Sequence, residues 1–453
     1  MIMSANLDIE TNAEDQLTIG GIEATKLVQQ YGTPLNVYDV ARIRSQIRKF
    51  KKVFEEEQTE YEVSYASKAF SSIAIFQVMS QENMHIDVVS GGELYTALQA
   101  HFPASQISFH GNNKSREELS MALENHVGTI IVDNFHELEL LQSLLEEQPT
   151  TVNIILRVAP GVSAHTHEYD QTGQIDSKFG FDIDSGQADQ AFEIVNQNSN
   201  LNLIGIHGHI GSQIFESEGF DLEVERLMQL LVHWKKRYDF VSEVLNVGGG
   251  FGIQYVGTDN PPAPEELVRQ IIQNVRQAAE QNHLPLPAIW IEPGRSLVGP
   301  AGYSLYTIGS RKDIPNYQPY VSVDGGMGDN IRPALYQADY SGVVANKVHA
   351  PVVENVRISG KYCESGDILI KNQPLPETKP GDIFAILATG AYGYSMASNY
   401  NRNPRPAVVF VENDRAQIVI KRETFQDLVN LDSEYFINIG GNYDKENDRT
   451  RNY

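Results

Sequence analysis

The pattern that most constrains this chain is a series of eight short runs rich in β-branched residues, separated by stretches of helical periodicity. Each run stops at a polar or glycine-rich signal, and the stretches between them carry apolar residues at three- and four-residue spacing, as in 92–100, 115–125, 137–147 and 264–281. The eight runs are 61–65, 85–89, 106–109, 129–132, 152–158, 203–210, 244–247 and 289–291. Eight strands that are each followed by a helix predict a TIM-type (β/α)8 barrel of about 250 residues.

The pattern changes after Arg295, where strand-like runs follow one another with few helical windows. These runs are 317–323, 343–348, 352–358, 367–370, 383–387, 407–411 and 417–420. We therefore predict an α/β protein in which a mostly antiparallel β domain follows the barrel. The predicted parts are an N-terminal segment, 1–39, that joins the β domain, a barrel at 40–305, the β domain at 306–440 and a flexible tail at 441–453.

The composition favours a metabolic enzyme of the cytoplasm. Of the 453 residues, 59 are Asp or Glu and 35 are Lys or Arg, so the formal net charge is −24. Because nucleic acids and anionic membranes attract clustered cations, this balance argues against binding to either. Cys363 is the only cysteine, so no intrachain disulfide can form. We also expect no secretory signal and no membrane-spanning helix, since no apolar run approaches the roughly 20 residues that such a helix needs.

Reactive side chains follow the predicted strands at the ends where barrel enzymes carry their chemistry. Lys68 follows the first run, Asp87 and Arg157 lie near the ends of the second and fifth, and the histidine-containing segments 110–113 and 207–212 follow or end the third and sixth. The seventh run ends at a cluster of glycines, and the eighth ends at Glu292-Pro293-Gly294-Arg295. These groups are expected to converge at one mouth of the barrel.

Two of these signals admit a functional and a structural interpretation. Lys68 stands just past an apolar run, where a desolvated amine could form a Schiff base, although a lysine at a strand end is more often a solvated surface charge. Gly248, Gly249 and Gly250 could present backbone N–H groups to a phosphate, or they could form a simple turn. Because the cluster fits neither the Walker A spacing nor G-x-G-x-x-G, nucleotide binding is not indicated.

The remaining signals are also ambiguous when taken singly. Glu292 and Arg295 could form a surface salt bridge. His207 and His209 alternate along a strand and could bind zinc as a pair, but no third ligand stands at a matching spacing, so we predict no metal and favour stacking or hydrogen bonding. Cys363 lies in a polar turn bounded by glycines, a setting that favours a reactive thiol at least as much as an inert one.

Together these segments resemble the diaminopimelate decarboxylases, which are pyridoxal-phosphate enzymes with the alanine-racemase fold. The resemblance extends over nearly the whole chain, and the matching segments occur in the order found in the family. They are 65–70, 87–93, 110–115, 177–180, 207–213, 246–252, 292–295, 324–336, 363–367 and 391–401.

The resemblance implies decarboxylation of meso-2,6-diaminopimelate to L-lysine, with pyridoxal 5'-phosphate bound as a Schiff base to Lys68. It further implies that the cofactor contacts Asp87, His209, Ser212, Gly248, Gly249, Gly250, Glu292, Gly294, Arg295 and Tyr392. In this family pattern Glu292 hydrogen-bonds the pyridine nitrogen, which keeps that nitrogen protonated, and His209 stacks on the ring.

The resemblance also implies a substrate site and a partner subunit. The substrate is expected to contact Arg295, Arg332, Tyr336, Glu364 and Tyr392. Cys363 is expected to reach across from the second subunit of a homodimer and to protonate the α-carbon, so that the two subunits share their active sites. Lys68 and Cys363 are therefore the predicted catalytic residues.

Three alternatives stay open at this point. A sister decarboxylase of D-ornithine, D-lysine or another basic amino acid would share the cofactor motifs, although the segments 332–336 and 363–365 favour diaminopimelate. A racemase would share the Schiff base, but racemases of this fold tend to avoid a partner such as Glu292. A catalytically inactive regulatory homologue is disfavoured because Lys68, Glu292 and Cys363 are all retained.

Overall fold

The protein is described here from a computed structural model, which describes residues 9–162 and 177–435. The predicted tail at 441–453 and the first eight residues of the predicted N-terminal segment lie outside the described residues.

After two short strands, the elements up to residue 159 alternate between strands and helices. They are β1 (Glu10–Thr11), β2 (Leu17–Ile19), β3 (Ile22–Glu23), α1 (Ala24–Tyr31), β4 (Leu35–Asp39), α2 (Val40–Glu56), β5 (Tyr61–Ala66), α3 (Ile73–Gln81), β6 (His85–Val88), α4 (Gly91–Gln99), β7 (Ile107–Phe109), α5 (Arg116–Glu124), β8 (Thr129–Val132), α6 (Phe135–Glu147) and β9 (Val152–Ala159).

The second half of the described chain completes the alternation and then becomes rich in strands. Its elements are β10 (Phe181–Asp182), α7 (Gln187–Asn196), β11 (Leu201–His207), α8 (Glu218–Tyr238), β12 (Val244–Asn246), α9 (Pro264–Gln281), β13 (Ala288–Ile291), α10 (Arg295–Val298), β14 (Gly302–Lys312), β15 (Tyr320–Val323), α11 (Arg332–Leu335), β16 (Gly342–Val344), β17 (Glu354–Ser359), β18 (Ile368–Leu375), β19 (Ile383–Ile386), β20 (Ala407–Glu412) and β21 (Arg415–Ile420).

Eight parallel strands close into a barrel, which confirms the fold predicted from the eight runs. They pair in the order β9, β11, β12, β13, β5, β6, β7 and β8, and β8 pairs with β9 to complete the circle. Because the strands of such a barrel are covered on both faces, they read as continuous apolar runs rather than alternating ones. All four residues of β8, for example, are buried.

Side-chain caps start the helices soon after the strands end. Ser90, Ser115 and Asn134 cap α4, α5 and α6, and each accepts a hydrogen bond from the backbone N–H of a glutamate three residues later. Such caps satisfy N–H groups that have no partner within the helix. The loops between strand and helix are therefore short, and their side chains are held at the carboxyl end of the barrel.

Lys114 and Glu137 form a buried ion pair that joins two of these loops. Lys114 Nζ lies 2.7 Å from Glu137 Oε1 and also donates to the carbonyl oxygens of Gly111 and Ile131, at 2.9 and 2.7 Å. Glu137 Oε2 accepts from the backbone N–H of Asp133 at 2.9 Å. Every polar atom of the pair thus has a partner, so the pair fixes the loops after β7 and β8 relative to each other.

We expect Lys114→Met to lower the free energy of unfolding by about 3–5 kcal/mol, because it leaves the Glu137 carboxylate buried without its counter-charge. Urea denaturation followed by circular dichroism measures the change. Lys49→Met is the matched control: Lys49 is exposed and lies 3.9 Å from Glu265, so its loss is expected to cost less than about 1 kcal/mol. Equal stability of the two variants would show that the buried pair contributes nothing.

The second domain is a mixed sheet in the order β18, β17, β15, β14, β4, β20 and β21, with β19 also paired to β14 and β16 paired to β19. Among the described residues, six of these eight pairings are antiparallel; β15 with β17 and β4 with β20 are parallel. This confirms a mostly antiparallel domain. Strand β4, from the N-terminal segment, lies between β14 and β20.

One long strand was absent from the sequence prediction. Strand β14 runs for 11 residues, and the predicted boundary at 305/306 falls inside it. Its sequence, GYSLYTIGSRK, contains two glycines and two serines and ends in two cations, so it lacks a continuous apolar run. Pairing with β4, β15 and β19 holds it extended despite this weak local preference.

In the part of the chain that the structure describes, no helix combines the length and the apolar character needed to cross a membrane.

Candidate active site

A cavity lies at the carboxyl ends of the barrel strands, and one residue of the β domain also lines it. Its lining residues are Ala66, Lys68, Asp87, His209, Ser212, Gly249, Gly250, Phe251, Glu292, Gly294, Arg295 and Tyr392. Every residue that the resemblance assigns to the cofactor lines this cavity except Gly248, which precedes Gly249 in the same turn. Tyr392 enters from the β domain, beyond β19.

Lys68 lies in a short 3-10 turn, Ser67–Ala69, directly after β5. The turn is held by Glu93, whose Oε2 accepts hydrogen bonds from Ser67 Oγ at 2.7 Å and from Val89 N at 2.8 Å. Glu93 lies in the first turn of α4. Its carboxylate therefore ties the lysine-bearing turn to the loop of the neighbouring strand.

The groups around Lys68 favour bound protons. Burial acts to lower the pKa of Lys68, but the Tyr392 phenol and the Asp87 carboxyl group outweigh it, and the pKa is raised. Burial, together with the charge of Glu292, raises the pKa of Asp87 well above its usual range. The effect of burial on the pKa of this amine is therefore more than offset by the groups around it.

The glycines after β12 are required by close packing and by their backbone angles. Gly248 and Gly250 have φ of +64° and +104°, in the region that favours glycine. A Cβ atom on Gly249 would lie 2.1 Å from the carbonyl oxygen of Glu292. The turn therefore brings bare backbone against β13, and Gly249 and Gly250 reach the cavity wall without side chains.

Ser212 and Arg295 stand together beside this turn. Arg295 donates to Ser212 Oγ from Nη2 at 2.8 Å, and its guanidinium lies 4.9 Å from the centre of the Tyr392 ring. A serine hydroxyl, a guanidinium and glycine N–H groups form the donor set that binds phosphate.

His209 lies over the glycine turn as a neutral ring. Burial lowers its pKa well below the usual range. Gly249 N donates to His209 Nδ1 at 3.3 Å, which places the proton of the neutral imidazole on Nε2. A neutral, oriented ring at the cavity wall suits the stacking role expected for His209.

Glu292 is buried at the end of β13 and is contacted from three other strands. Asn246 Nδ2 donates to its Oε1 at 2.6 Å, His207 Nε2 lies 3.2 Å from Oε2, and His110 Nε2 lies 3.1 Å from Oε1. Burial acts to raise the pKa of Glu292, but His110 and His207 hold it well below its usual range. Glu292 is thus an ionised carboxylate facing the cavity.

Two tyrosines hold a pair of buried arginines beside the cavity. Arg295 Nη1 donates to Tyr255 OH at 2.7 Å, and Arg332 Nη1 donates to Tyr340 OH at 2.6 Å. Both guanidinium groups also lie against the Tyr255 ring, at 5.8 and 4.9 Å from its centre. Two fixed guanidinium groups near each other suit a ligand with two carboxylates. The ring of Tyr336, also predicted to contact substrate, lies 5.9 Å from Arg332.

Cys363 and Glu364 lie in an exposed turn and do not line the cavity of their own chain. The turn is anchored by a hydrogen bond from Cys363 N to Asn401 Oδ1 at 2.8 Å and by stacking of Tyr362 on Tyr400. The structure therefore brings the predicted cofactor contacts together but leaves these two residues apart from them.

Comparison with known proteins assigns the family. Residues 40–299 match the family model for the pyridoxal binding domain of pyridoxal-dependent decarboxylases. Over 421 residues the chain is 55% identical to diaminopimelate decarboxylase of Bacillus subtilis, covering 93% of this chain and 96% of that protein. The chain belongs to the diaminopimelate decarboxylases. It is also 44% identical over 429 residues to the diaminopimelate decarboxylase of Staphylococcus aureus, covering 94% of this chain and all of that one.

Solved structures of diaminopimelate decarboxylases share the architecture. The enzyme from M. jannaschii superposes with a TM-score of 0.89 at 34% identity, covering 95% of this chain and 99% of that one. Its co-complex with L-lysine gives the same TM-score at 33% identity, with 96% and 99% covered. A lysine/ornithine decarboxylase from Vibrio vulnificus, at 22% identity and a TM-score of 0.71, covering 86% of this chain and 97% of that one, shares the fold.

The cavity fits the cofactor of the diaminopimelate decarboxylases, pyridoxal phosphate. An amine that can form a Schiff base stands at Lys68, the phosphate donors stand at the glycine turn, and the ionised Glu292 supplies an acceptor for a protonated ring nitrogen. The sequence interpretation assigned no role to Asn246, Tyr255 or Tyr340. Asn246 carried a usable signal, because it lies at a strand end within a matched segment; the two tyrosines carried none.

Proposed function

We propose that this chain decarboxylates meso-2,6-diaminopimelate to L-lysine and CO2, the last step of lysine biosynthesis. The observation that carries the proposal is the pairing of a lysine-bearing cavity with two buried arginines, Arg295 and Arg332, in a chain of this family. A single arginine would serve a monocarboxylic amino acid, whereas diaminopimelate carries a carboxylate at each end.

Different cavity residues hold different parts of the cofactor. When bound, pyridoxal phosphate supplies a protonated pyridine ring that accepts the electron pair left when CO2 departs. Lys68 holds its aldehyde carbon, and Asp87 lies beside that amine. Glu292 accepts a hydrogen bond from the ring nitrogen, and His209 packs on the ring face. Ser212, Gly248, Gly249, Gly250, Gly294, Arg295 and Tyr392 surround the phosphate.

The substrate residues act at both ends of the amino acid. Arg295, Arg332, Tyr336 and Tyr392 bind and orient its carboxylates, and Glu364 recognises the distal ammonium and its stereocentre. Cys363 donates a proton to the α-carbon after CO2 has left. Lys68 would hold the cofactor again once lysine has left the site.

We further propose that the enzyme is a homodimer with shared active sites. The exposed position of Cys363 and Glu364, outside the cavity of their own chain, supports this arrangement, since both can then reach the cavity of a partner. A cytoplasmic location is proposed with it; the single cysteine and the acidic balance of the chain support that location.

The proposed substrate is tested by offering the purified protein, with pyridoxal phosphate added, five amino acids in parallel: meso-diaminopimelate, its LL isomer, D-lysine, D-ornithine and L-ornithine. We expect lysine and CO2 from the meso isomer alone, with product resolved by mass spectrometry. Release of an amine from ornithine or lysine, with meso-diaminopimelate untouched, would keep the cofactor site and move the substrate to a sister decarboxylase. Inactivity on all five would favour a regulatory homologue.

A further inference from the structure

The barrel interior behind Glu292 presents hydrogen-bond donors to both oxygens of its carboxylate. Asn246 Nδ2 lies 2.6 Å from Oε1, and His207 Nε2 lies 3.2 Å from Oε2. Asn246 and His207 are each 1% exposed, and Glu292 is 8% exposed. A carboxylate buried this deeply needs donors to stay charged, and these two contacts supply one donor to each of its oxygens.

The backbone fixes the orientation of the Asn246 amide. Its Oδ1 accepts a hydrogen bond from Gly248 N at 2.9 Å, and a backbone N–H can only donate. The amide nitrogen must therefore face Glu292, whose own backbone N–H donates to the Gly248 carbonyl at 2.7 Å. Asn246 thus links the carboxylate to the glycine turn.

His207 is a neutral ring that donates a hydrogen bond to Glu292. Burial lowers the pKa of His207 to about 4, so the ring is neutral near pH 7 and carries one proton. The ionised Glu292 can only accept, which places that proton on Nε2 and makes His207 the donor. Within the described residues, His207 Nδ1 is buried and has no hydrogen-bond partner.

The third neighbour of Glu292 is His110, which lies against both Glu292 and His207. Its Nε2 lies 3.1 Å from Oε1 but outside hydrogen-bond alignment, and its ring meets that of His207 edge to face at 5.2 Å. Ligand atoms of His110, His207 and Glu292 lie within 4.8 Å of one another, a spacing that a metal ion could use. The N–H of Asn246 aimed at Oε1 would repel a cation there, so the set suits a stabilised anion.

We propose that Asn246 and His207 are positioning residues that keep Glu292 a carboxylate and aim it at the ring nitrogen of bound pyridoxal phosphate. This inference rests on the role proposed above for Glu292. Through Gly248, Asn246 also sets the glycine turn that surrounds the phosphate, so one amide aligns both ends of the cofactor. Loss of either donor raises the proton affinity of Glu292 and weakens its hold on the protonated ring.

The other charged and titratable groups that act on Glu292 come from several elements of the barrel. They are Glu62, Lys68, Asp87, His110, Arg157, His209 and Glu223. To assign a pH effect on Glu292 to Asn246 or His207, each variant must leave all these other groups unchanged and be compared with the unaltered protein.

The test uses three variants of the two donor residues. Asn246→Asp keeps the acceptor for Gly248 N and replaces the amide donor to Glu292 with a second carboxyl group, which competes with Glu292 for the negative charge. His207→Phe removes a donor from a ring of similar shape, while His207→Gln retains a side-chain N–H. We expect Asn246→Asp and His207→Phe to weaken binding of pyridoxal phosphate to the apo-protein about 10- to 100-fold, and His207→Gln to recover most of that loss.

A second readout is the protonation of the ring nitrogen, followed by the 15N chemical shift of labelled cofactor against pH. In the unaltered protein that nitrogen is expected to stay protonated across the neutral range, whereas in Asn246→Asp and His207→Phe it loses its proton within that range. A purely structural role would not move this titration. Asn202→Asp, at an exposed position on β11, is the matched control and is expected to change neither readout.

Glu292→Gln distinguishes a failure of the role proposed for Glu292 from a failure of the positioning role proposed for Asn246 and His207. If Glu292→Gln alters neither the affinity nor the ring-nitrogen titration, the role proposed for Glu292 fails. If Glu292→Gln alters both while Asn246→Asp and His207→Phe leave them unchanged, the positioning role is overturned. Circular dichroism of each variant establishes folding, and should Asn246→Asp not fold, the contrast between His207→Phe and His207→Gln decides the question.

Discussion

Lys68→Ala is expected to lower the turnover of meso-diaminopimelate by about 10³-fold or more, a loss equivalent to about 4 kcal/mol of transition-state stabilisation. In the proposed function Lys68 supplies the amine that holds the cofactor, and the structure places it among the cavity-lining residues. Among the described residues that line the cavity, no other side chain carries a primary amine.

Two measurements test this prediction. Steady-state lysine formation gives turnover, and intact mass after borohydride reduction shows whether the cofactor is covalently attached. The unaltered chain should gain one reduced pyridoxyl group, and the alanine variant none. Lys52→Ala, at a side chain with 72% of its surface exposed, is the control and should match the unaltered chain. A pyridoxyl group found on Lys68→Ala would place the Schiff base elsewhere.

Mixing two inactive variants is expected to restore activity if the active sites are shared. Lys68→Ala and Cys363→Ala are each expected to be nearly inactive as homodimers. When equal amounts are dissociated and reassociated, half of the dimers are mixed, and each mixed dimer has one site with both Lys68 and Cys363. Turnover should therefore recover to about a quarter of that of the unaltered enzyme.

The double variant Lys68→Ala/Cys363→Ala is the control for this mixing experiment. Lys68→Ala/Cys363→Ala mixed with the unaltered chain gives mixed dimers in which each site lacks one of the two residues, so only the homodimers of the unaltered chain remain active. If the single variants do not complement each other, Cys363 acts within its own chain or is dispensable. A fully active Cys363→Ala homodimer would remove the thiol from the mechanism.

Much of the cavity could be predicted because parallel strands bring their carboxyl ends to one place. Lys68, Asp87, Gly249 and Glu292 are far apart in sequence, yet each follows or ends a strand, so the topology of the barrel alone gathers them. The requirement for glycine at Gly249 was also readable, since a glycine cluster at a strand end signals close backbone approach.

What could not be predicted depends on the direction of side chains and on distant packing. The Tyr255 ring meets Arg332 only when the β domain packs against the barrel, and no local pattern marks Tyr255 or Tyr340. The pKa of the Lys68 amine could not be predicted, because it depends on Tyr392 and Asp87, which come from other elements. The donor direction of Asn246 follows from one backbone contact, that with Gly248 N.

The place of β4 in the second sheet affects how the chain can be made and divided. All five of its residues are buried, and its two neighbours, β14 and β20, lie more than 260 and 360 residues later in the sequence. During synthesis one edge of β4 stays unpaired until β14 has emerged, about two-thirds of the way along the chain, and the other until β20 has emerged, which leaves a strand edge exposed for that time. No single cut of the chain yields both domains as complete fragments, so the barrel is an insertion within the β domain.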